Sequence, residues 1–281
     1  MSNYTVMDPS GRDPSPDVEP ELSGGSSVDW ERTREREEKP KRSFLGLFRR
    51  QKAKPIEEVE DVDAAHAEKR RITLSQPNSY VTEQFRTLRG RIDAFAVERP
   101  IRTVAVTSAN PGEGKSTSSI SLAVVSAMSV GRRVLLLDCD MRRPAIHTAL
   151  GLEPKVGIAE VLNGEATLDE ALITMQDTGL DVLCVCSQPS NPSELLASEA
   201  MRQLVRDVSD RYDRVVLDTP VTLGLPDAKT VGDLCDGIVF VVRAGGTKLP
   251  EIESCLDLLD RRRVLGLVLN AAEADEDKYG Y

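Results

Sequence analysis

The sequence predicts an α/β protein: a doubly wound, mainly parallel sheet with helices on both faces. Two observations carry that prediction. Six short apolar runs, at 101–107, 133–138, 180–185, 213–218, 236–242 and 264–270, alternate with segments of helical spacing. Strands buried on both faces read as continuous apolar runs, and the helices between them supply the cover. In addition, the glycine-rich segment Ala109-Asn-Pro-Gly112-Glu-Gly114-Lys115-Ser116-Thr117 falls between the first run and the helical pattern after it. That strand–loop–helix setting gives a phosphate-loop pattern physical meaning.

Taken in order, residues 1–74 come first. Pro, Ser, Gly and acidic residues dominate Asp8 to Ser27, and charges alternate from Glu31 to Lys39. Such a stretch buries too little apolar surface to offset its chain entropy, and it is expected to be disordered. Within it, 39–54 joins Phe44, Leu45, Leu47 and Phe48 to basic flanks without an acid, a composition suited to an anionic membrane surface or a partner. A folded domain is expected over 75–270. Its first helix runs from Ser79, with Tyr80, Phe85, Leu88, Ile92 and Phe95 at helical spacing, and ends before Pro100. Further helices are expected at 116–130, in pieces over 158–174, and at 193–211, 226–234 and 250–262. Residues 271–281 form a flexible acidic tail carrying Tyr279 and Tyr281.

Composition excludes some roles. A net charge of −10 over 281 residues argues against nucleic acid as a partner. No apolar run approaches the ~20 residues that span a bilayer, and Met1-Ser-Asn-Tyr-Thr has no signal-peptide pattern. The five cysteines lack a CxxC spacing; they read as reduced core residues of a cytoplasmic protein.

The candidate site begins at the loop. Gly112 and Gly114 let backbone N–H groups around Glu113 and Thr117 approach phosphate oxygens, and the next helix offers its positive end. Lys115 would reach the β- and γ-phosphates of ATP, and the Ser116 hydroxyl would ligate Mg²⁺. Ala109 departs from GxxxxGK[ST], so the loop must enter without a glycine-only conformation. Three strand-end carboxylates follow: Asp138 and Asp140 after Val134-Leu-Leu-Leu, and Asp218 after Val215-Val-Leu. In a doubly wound sheet these open at one edge. Asp218, with Asp138, suits the metal's shell, while Asp138 or Asp140 would guide or deprotonate an attacking hydroxyl. Asp140 has the alternative of pairing with Arg142 or Arg143. Asn270 reads equally as an adenine contact or as a turn former.

These motifs resemble those of the bacterial tyrosine kinases, the P-loop autokinases of capsule and exopolysaccharide export. The loop is similar to their Walker A, Leu-Leu-Leu-Asp138-Cys-Asp140-Met-Arg142-Arg143-Pro144 to their Walker A′, and Val-Val-Leu-Asp218-Thr-Pro220 to their Walker B. Gly157 to Gly164, Asn191 to Leu196 and Pro226-Asp227-Ala228 also match, so the resemblance covers roughly 75–281. It implies an ATP- and Mg²⁺-dependent protein-tyrosine kinase that phosphorylates Tyr279 and Tyr281 between subunits, where relatives carry a larger tyrosine cluster. Glu83-Gln-Phe-Arg86-Thr-Leu-Arg89 looks like the family's ExxRxxR motif and implies a homo-oligomeric ring. Arg261, Arg262 and Arg263 are candidates for a basic groove that holds the tail, or simply complement a helix C-terminus. The resemblance further implies protein substrates, a separate membrane co-polymerase and recruitment to the inner face of the cell membrane. Two alternatives are a partitioning or cell-division-site P-loop ATPase and a nucleotide-dependent scaffold of the export machinery. The ATPases carry a signature lysine where this chain has Asn110.

Overall fold

The computed structural model describes residues 54–55 and 70–272, all within one compact unit. The disordered region expected over 1–74, its 39–54 segment and the two tail tyrosines therefore lie almost wholly outside the described residues. At its centre is a seven-stranded sheet. In chain order its strands are β1 (Thr103–Ser108), β2 (Val134–Asp138), β3 (Leu172–Thr174), β4 (Asp181–Leu183), β5 (Arg214–Asp218), β6 (Gly237–Arg243) and β7 (Val264–Asn270). Across the sheet they lie in the order β3-β4-β2-β5-β1-β6-β7. Every neighbouring pair is parallel except β3 with β4.

Alternate residues of the buried strands divide between two cores, as the two-residue period of a strand requires. Ala105, Leu135, Leu137, Val215 and Leu217 face one, with Ile158, Met201, Leu204 and Val208 from covering helices. Val104, Val106, Leu136 and Val216 face the other, against Ile92, Ile120, Val124 and Ile146. The helices of that second face are α1 (Ile72–Ser75), α2 (Tyr80–Glu98), α3 (Lys115–Ala127) and α4 (Ile146–Leu150). Ser79 caps α2 by accepting from the Thr82 N–H at 3.3 Å. Thr73 is wholly buried, so the folded body begins a few residues before position 75.

The sequence reading needs three corrections of detail. Leu172–Thr174, expected within a helical segment, is an antiparallel edge strand. The segment 193–211 is two helices, α7 (Pro192–Leu196) and α8 (Glu199–Arg211), because the Ser198 side chain caps a fresh start on Met201 N–H. Between α4 and α7 lie the short α5 (Ile158–Leu162) and α6 (Leu168–Ala171); α9 (Asp227–Gly232) and α10 (Leu249–Leu258) follow α8. The last helix thus stops short of 262. Arg261, Arg262 and Arg263 then lead into β7 at the amino edge of the sheet, opposite the phosphate loop, and pair with Asp257 and Asp260.

All five cysteines are free, and Cys186 is the one that is not buried. A two-residue antiparallel pairing joins Lys54–Pro55 to Ser187–Gln188. Among the described residues no helix is long and apolar enough to cross a membrane.

Candidate active site at the phosphate loop

β1 delivers the chain to the phosphate loop at the carboxyl edge of the sheet, and α3 leaves it. Ala109 is fully buried, and its φ is not positive; the missing consensus glycine costs the loop no forbidden conformation. The turn itself rests on Gly112 (φ 80°) and Gly114 (φ 99°). Gly114 is also needed for space, since a Cβ there would lie 2.0 Å from Asn270 Nδ2.

Glu113 is buried and stitches the loop together. Its Oε2 accepts from the Asn110 backbone N–H at 3.0 Å, and its Oε1 accepts from Thr247 Oγ1 at 2.7 Å. Its carbonyl accepts from Asn270 Nδ2 at 2.8 Å. Asn270 thus clasps the loop through its amide nitrogen. Asn110 Nδ2 reaches Glu251 Oε2 at 3.3 Å, and Arg243 donates to the Gly112 carbonyl at 3.0 Å. The contributions of Thr247, Glu251 and Arg243 have no spacing signal in the sequence; only the fold brings them here.

The three carboxylates converge as the strand ends foretold. Asp138 and Asp218 lie opposite one another in the β2–β5 register. Lys115 Nζ is 2.8 Å from Asp140 Oδ2 and 3.5 Å from Asp218 Oδ2. Burial pulls the Lys115 ammonium down, but Asp218, Asp140 and Asp138 together outweigh it and leave its pKa raised. Asp218 accepts from Ser116 Oγ at 2.6 Å and from Ser119 Oγ at 3.0 Å. Asp138 has no solvent exposure; it accepts from the Asp140 N–H at 3.0 Å and from the Ala145 and Ile146 N–H groups at 3.3 Å. Burial, with the Asp218 charge, pushes its carboxyl up to about 8. Burial likewise raises Asp218, against the pull of Lys115.

Asp140 therefore pairs with Lys115 and not with an arginine side chain; Arg143 reaches it only through its backbone N–H. Arg142 turns instead to Asp227 at 2.9 Å. The expected Glu83–Arg86–Arg89 face also divides. Glu83 and Arg86 pair with each other on the surface of α2, while Arg89 donates to Val125 O at 2.5 Å and Ser129 Oγ at 2.7 Å near the end of α3.

Among the described residues no group of three His, Cys, Asp or Glu side chains is arranged to hold a metal by itself. Mg²⁺ takes one or two carboxylates and completes its shell with water and phosphate oxygens. The Ser116–Asp218 pair beside a cradle shaped by Gly112 and Gly114 fits such an ion with a nucleotide's phosphates.

Fold and site together define a P-loop nucleotide-binding protein of the α/β class. A model of the AAA domain matches residues 101–237. The tyrosine-protein kinase YwqD of Bacillus subtilis (strain 168) is 38% identical over 213 residues, covering 75% of this chain and 90% of that protein. The succinoglycan biosynthesis transport protein ExoP of Rhizobium meliloti (strain 1021) is 34% identical over 73% of this chain, which spans only 27% of its length. Among solved structures, the chimerical protein CapA2B2 superposes with a TM-score of 0.69 at 32% identity, over 73% of this chain and 91% of that one. The cell division ATPase MinD of Pyrococcus furiosus shares the fold, with a TM-score of 0.54 at 24% identity over 62% of this chain and 74% of that one. The chain belongs to the bacterial tyrosine-protein kinase family.

Proposed function

We propose that the chain is an ATP- and Mg²⁺-dependent protein-tyrosine kinase that phosphorylates its own C-terminal Tyr279 and Tyr281 and serves exopolysaccharide polymerisation and export. The observation that carries this reading is Lys115, held between Asp140 and Asp218 at the head of a loop shaped for phosphates, in a member of the tyrosine-protein kinase family. Backbone N–H groups of 112–117 cradle the phosphates, and Lys115 holds the charge that develops on the γ-phosphoryl group. Ser116 and Asp218, with Asp138 nearby, would hold Mg²⁺, whose charge offsets that of the phosphate oxygens. The tyrosine oxygen forms the new bond to γ-phosphorus as the bond to the β–γ bridging oxygen breaks, and ADP leaves. Asp138, in its ionised form, is suited to take the hydroxyl proton, because burial makes its carboxylate a stronger base than a solvated one. Asp140 steadies Lys115.

Transfer runs between subunits of a homo-oligomeric ring, with Glu83, Arg86 and Arg89 on the helix that meets the neighbour. Glu83 and Arg86 pair with each other on the surface of that helix. The chain acts beside a separate membrane co-polymerase at the inner face of the cell membrane, with other protein substrates as further acceptors. Asn110 supports this reading over a partitioning-type ATPase, since it stands where those ATPases carry a signature lysine.

Incubation with γ-labelled ATP and Mg²⁺ tests the proposal. Label is expected on Tyr279 or Tyr281 and lost in Lys115→Met. Release of free phosphate without tyrosine label would replace the kinase by an ATPase, and label that survives Lys115→Met would overturn the site.

A further inference from the structure

Two residues beyond Asp140, Arg142 is held from both ends. Its carbonyl accepts from Gln188 Nε2 at 3.0 Å. Its guanidinium donates through Nε to Asp227 Oδ2 at 2.9 Å and through a terminal nitrogen to Ser193 Oγ at 2.8 Å. The Ser193 hydroxyl in turn donates to Asp227 Oδ1 at 2.6 Å, closing a three-membered network. Asp227 is only 1% exposed, and a buried carboxylate is tolerated when it is paired on both oxygens, as here. Ser193 is the second residue of α7 and Asp227 the first of α9, each immediately after a proline with a fixed φ. Segments far apart in the chain thus converge on one guanidinium beside the loop that presents Asp140 to Lys115.

From this network we infer that Arg142, Ser193 and Asp227 form a positioning clasp that holds the 138–146 loop, and with it Asp140, in place for phosphoryl transfer. The inference rests on the kinase reading above for its acceptor. None of the three need touch nucleotide or tyrosine; they act through Asp140, and a displacement of ~1 Å at such a group is enough to cost ~10²-fold in rate.

The test uses the full chain carrying Arg142→Met, Arg142→Lys, Ser193→Ala or Asp227→Asn, and Arg142→Met combined with Asp227→Asn. Steady-state transfer to tyrosine is measured together with amide hydrogen exchange of 138–146 in nucleotide-free protein and the thermal midpoint. Arg142→Met is expected to lower kcat by roughly 30- to 100-fold with the KM for ATP moved less than about threefold. Exchange in 138–146 should accelerate at least ~10-fold as the loop opens locally. Arg142→Lys should restore part of kcat through the remaining charge pair. Ser193→Ala should cost about 3- to 10-fold in kcat with an unmoved midpoint, which separates positioning from stability. The double variant should be no worse than Arg142→Met alone, since members of one network do not add. Unchanged exchange in Arg142→Met, a raised KM at constant kcat, or multiplying single effects would each overturn the clasp. If the wild type hydrolyses ATP without labelling tyrosine, the kinase reading fails instead, and the clasp is judged on hydrolysis kcat and on exchange. Should Asp227→Asn fail to fold, Ser193→Ala still decides.

Discussion

The phosphate-loop cleft and the groove between α2 and β7 meet at Asn270, yet they are built on opposite principles. In the cleft, β5 is buried along its whole length, and the polar groups of Asp138, Glu113 and Asp218 are held by bonds within the chain. The groove is lined by Tyr80, Phe85, Leu88, Leu267 and Leu269 and encloses about 320 Å³. There the edge strand leaves Leu267 53% and Leu269 62% exposed. The difference separates two demands. Phosphoryl transfer needs groups fixed in advance, because ordering them during reaction adds to the barrier. The edge strand, by contrast, leaves these leucines exposed among the described residues.

The largest expected break of this comparison is Gly114→Ala. The new Cβ would meet the Asn270 amide while the backbone stays at φ 99°, a conformation that costs an L-residue roughly 1–2 kcal/mol. Affinity for a fluorescent ATP analogue should fall at least ~10-fold, which corresponds to about 1.4 kcal/mol. Adding Asn270→Ala should recover the part due to the clash and leave the part due to φ. Binding within twofold of wild type would mean that the loop is not rigid.

A second expectation concerns Asp138. Its folded pKa of about 8 stands above the ordinary 3.8, so between these values the unfolded chain releases a proton that the folded chain keeps. Its contribution to stability is therefore full below pH ~4, declines as pH rises and is lost through pH ~8. Asp138→Asn removes that slope. Urea unfolding of nucleotide-free protein at pH 5 and pH 8 should show the variant gaining on the wild type with rising pH. A constant difference would place the proton elsewhere. Least of all should Leu267→Lys or Leu269→Lys matter to the fold, at within about 0.5 kcal/mol each. A loss above ~1.5 kcal/mol in urea unfolding would show that the groove belongs to the organised core after all.

Much of the fold was legible because burial on both faces writes itself into continuous apolar runs such as Val134-Leu-Leu-Leu and Val215-Val-Leu. The same runs locate Asp138 and Asp218, since a parallel sheet brings their ends to one edge. Leu172–Thr174 escaped because three residues are too few for a period to declare itself. Ser198 was hidden inside an amphipathic stretch that looks uninterrupted. The stitching of Glu113 by Thr247, of Asn110 by Glu251, and of Arg142 by Asp227 was illegible for a different reason. These contacts span from 85 to 141 positions along the chain, and topology alone decides which loops meet.

The uneven burial of the cysteines provides a reporter. Cys139, Cys184, Cys235 and Cys255 are sealed in the interior, whereas Cys186 is partly open, with its thiol donating to the Pro154 carbonyl at 3.1 Å. A thiol reagent used at mildly alkaline pH, against the upward push of burial on this group, would label that position selectively. The dye would then sit two positions before Gln188, whose amide holds the Arg142 carbonyl. Its emission would register movements of the loop beside the phosphates in the wild-type chain, without an engineered cysteine.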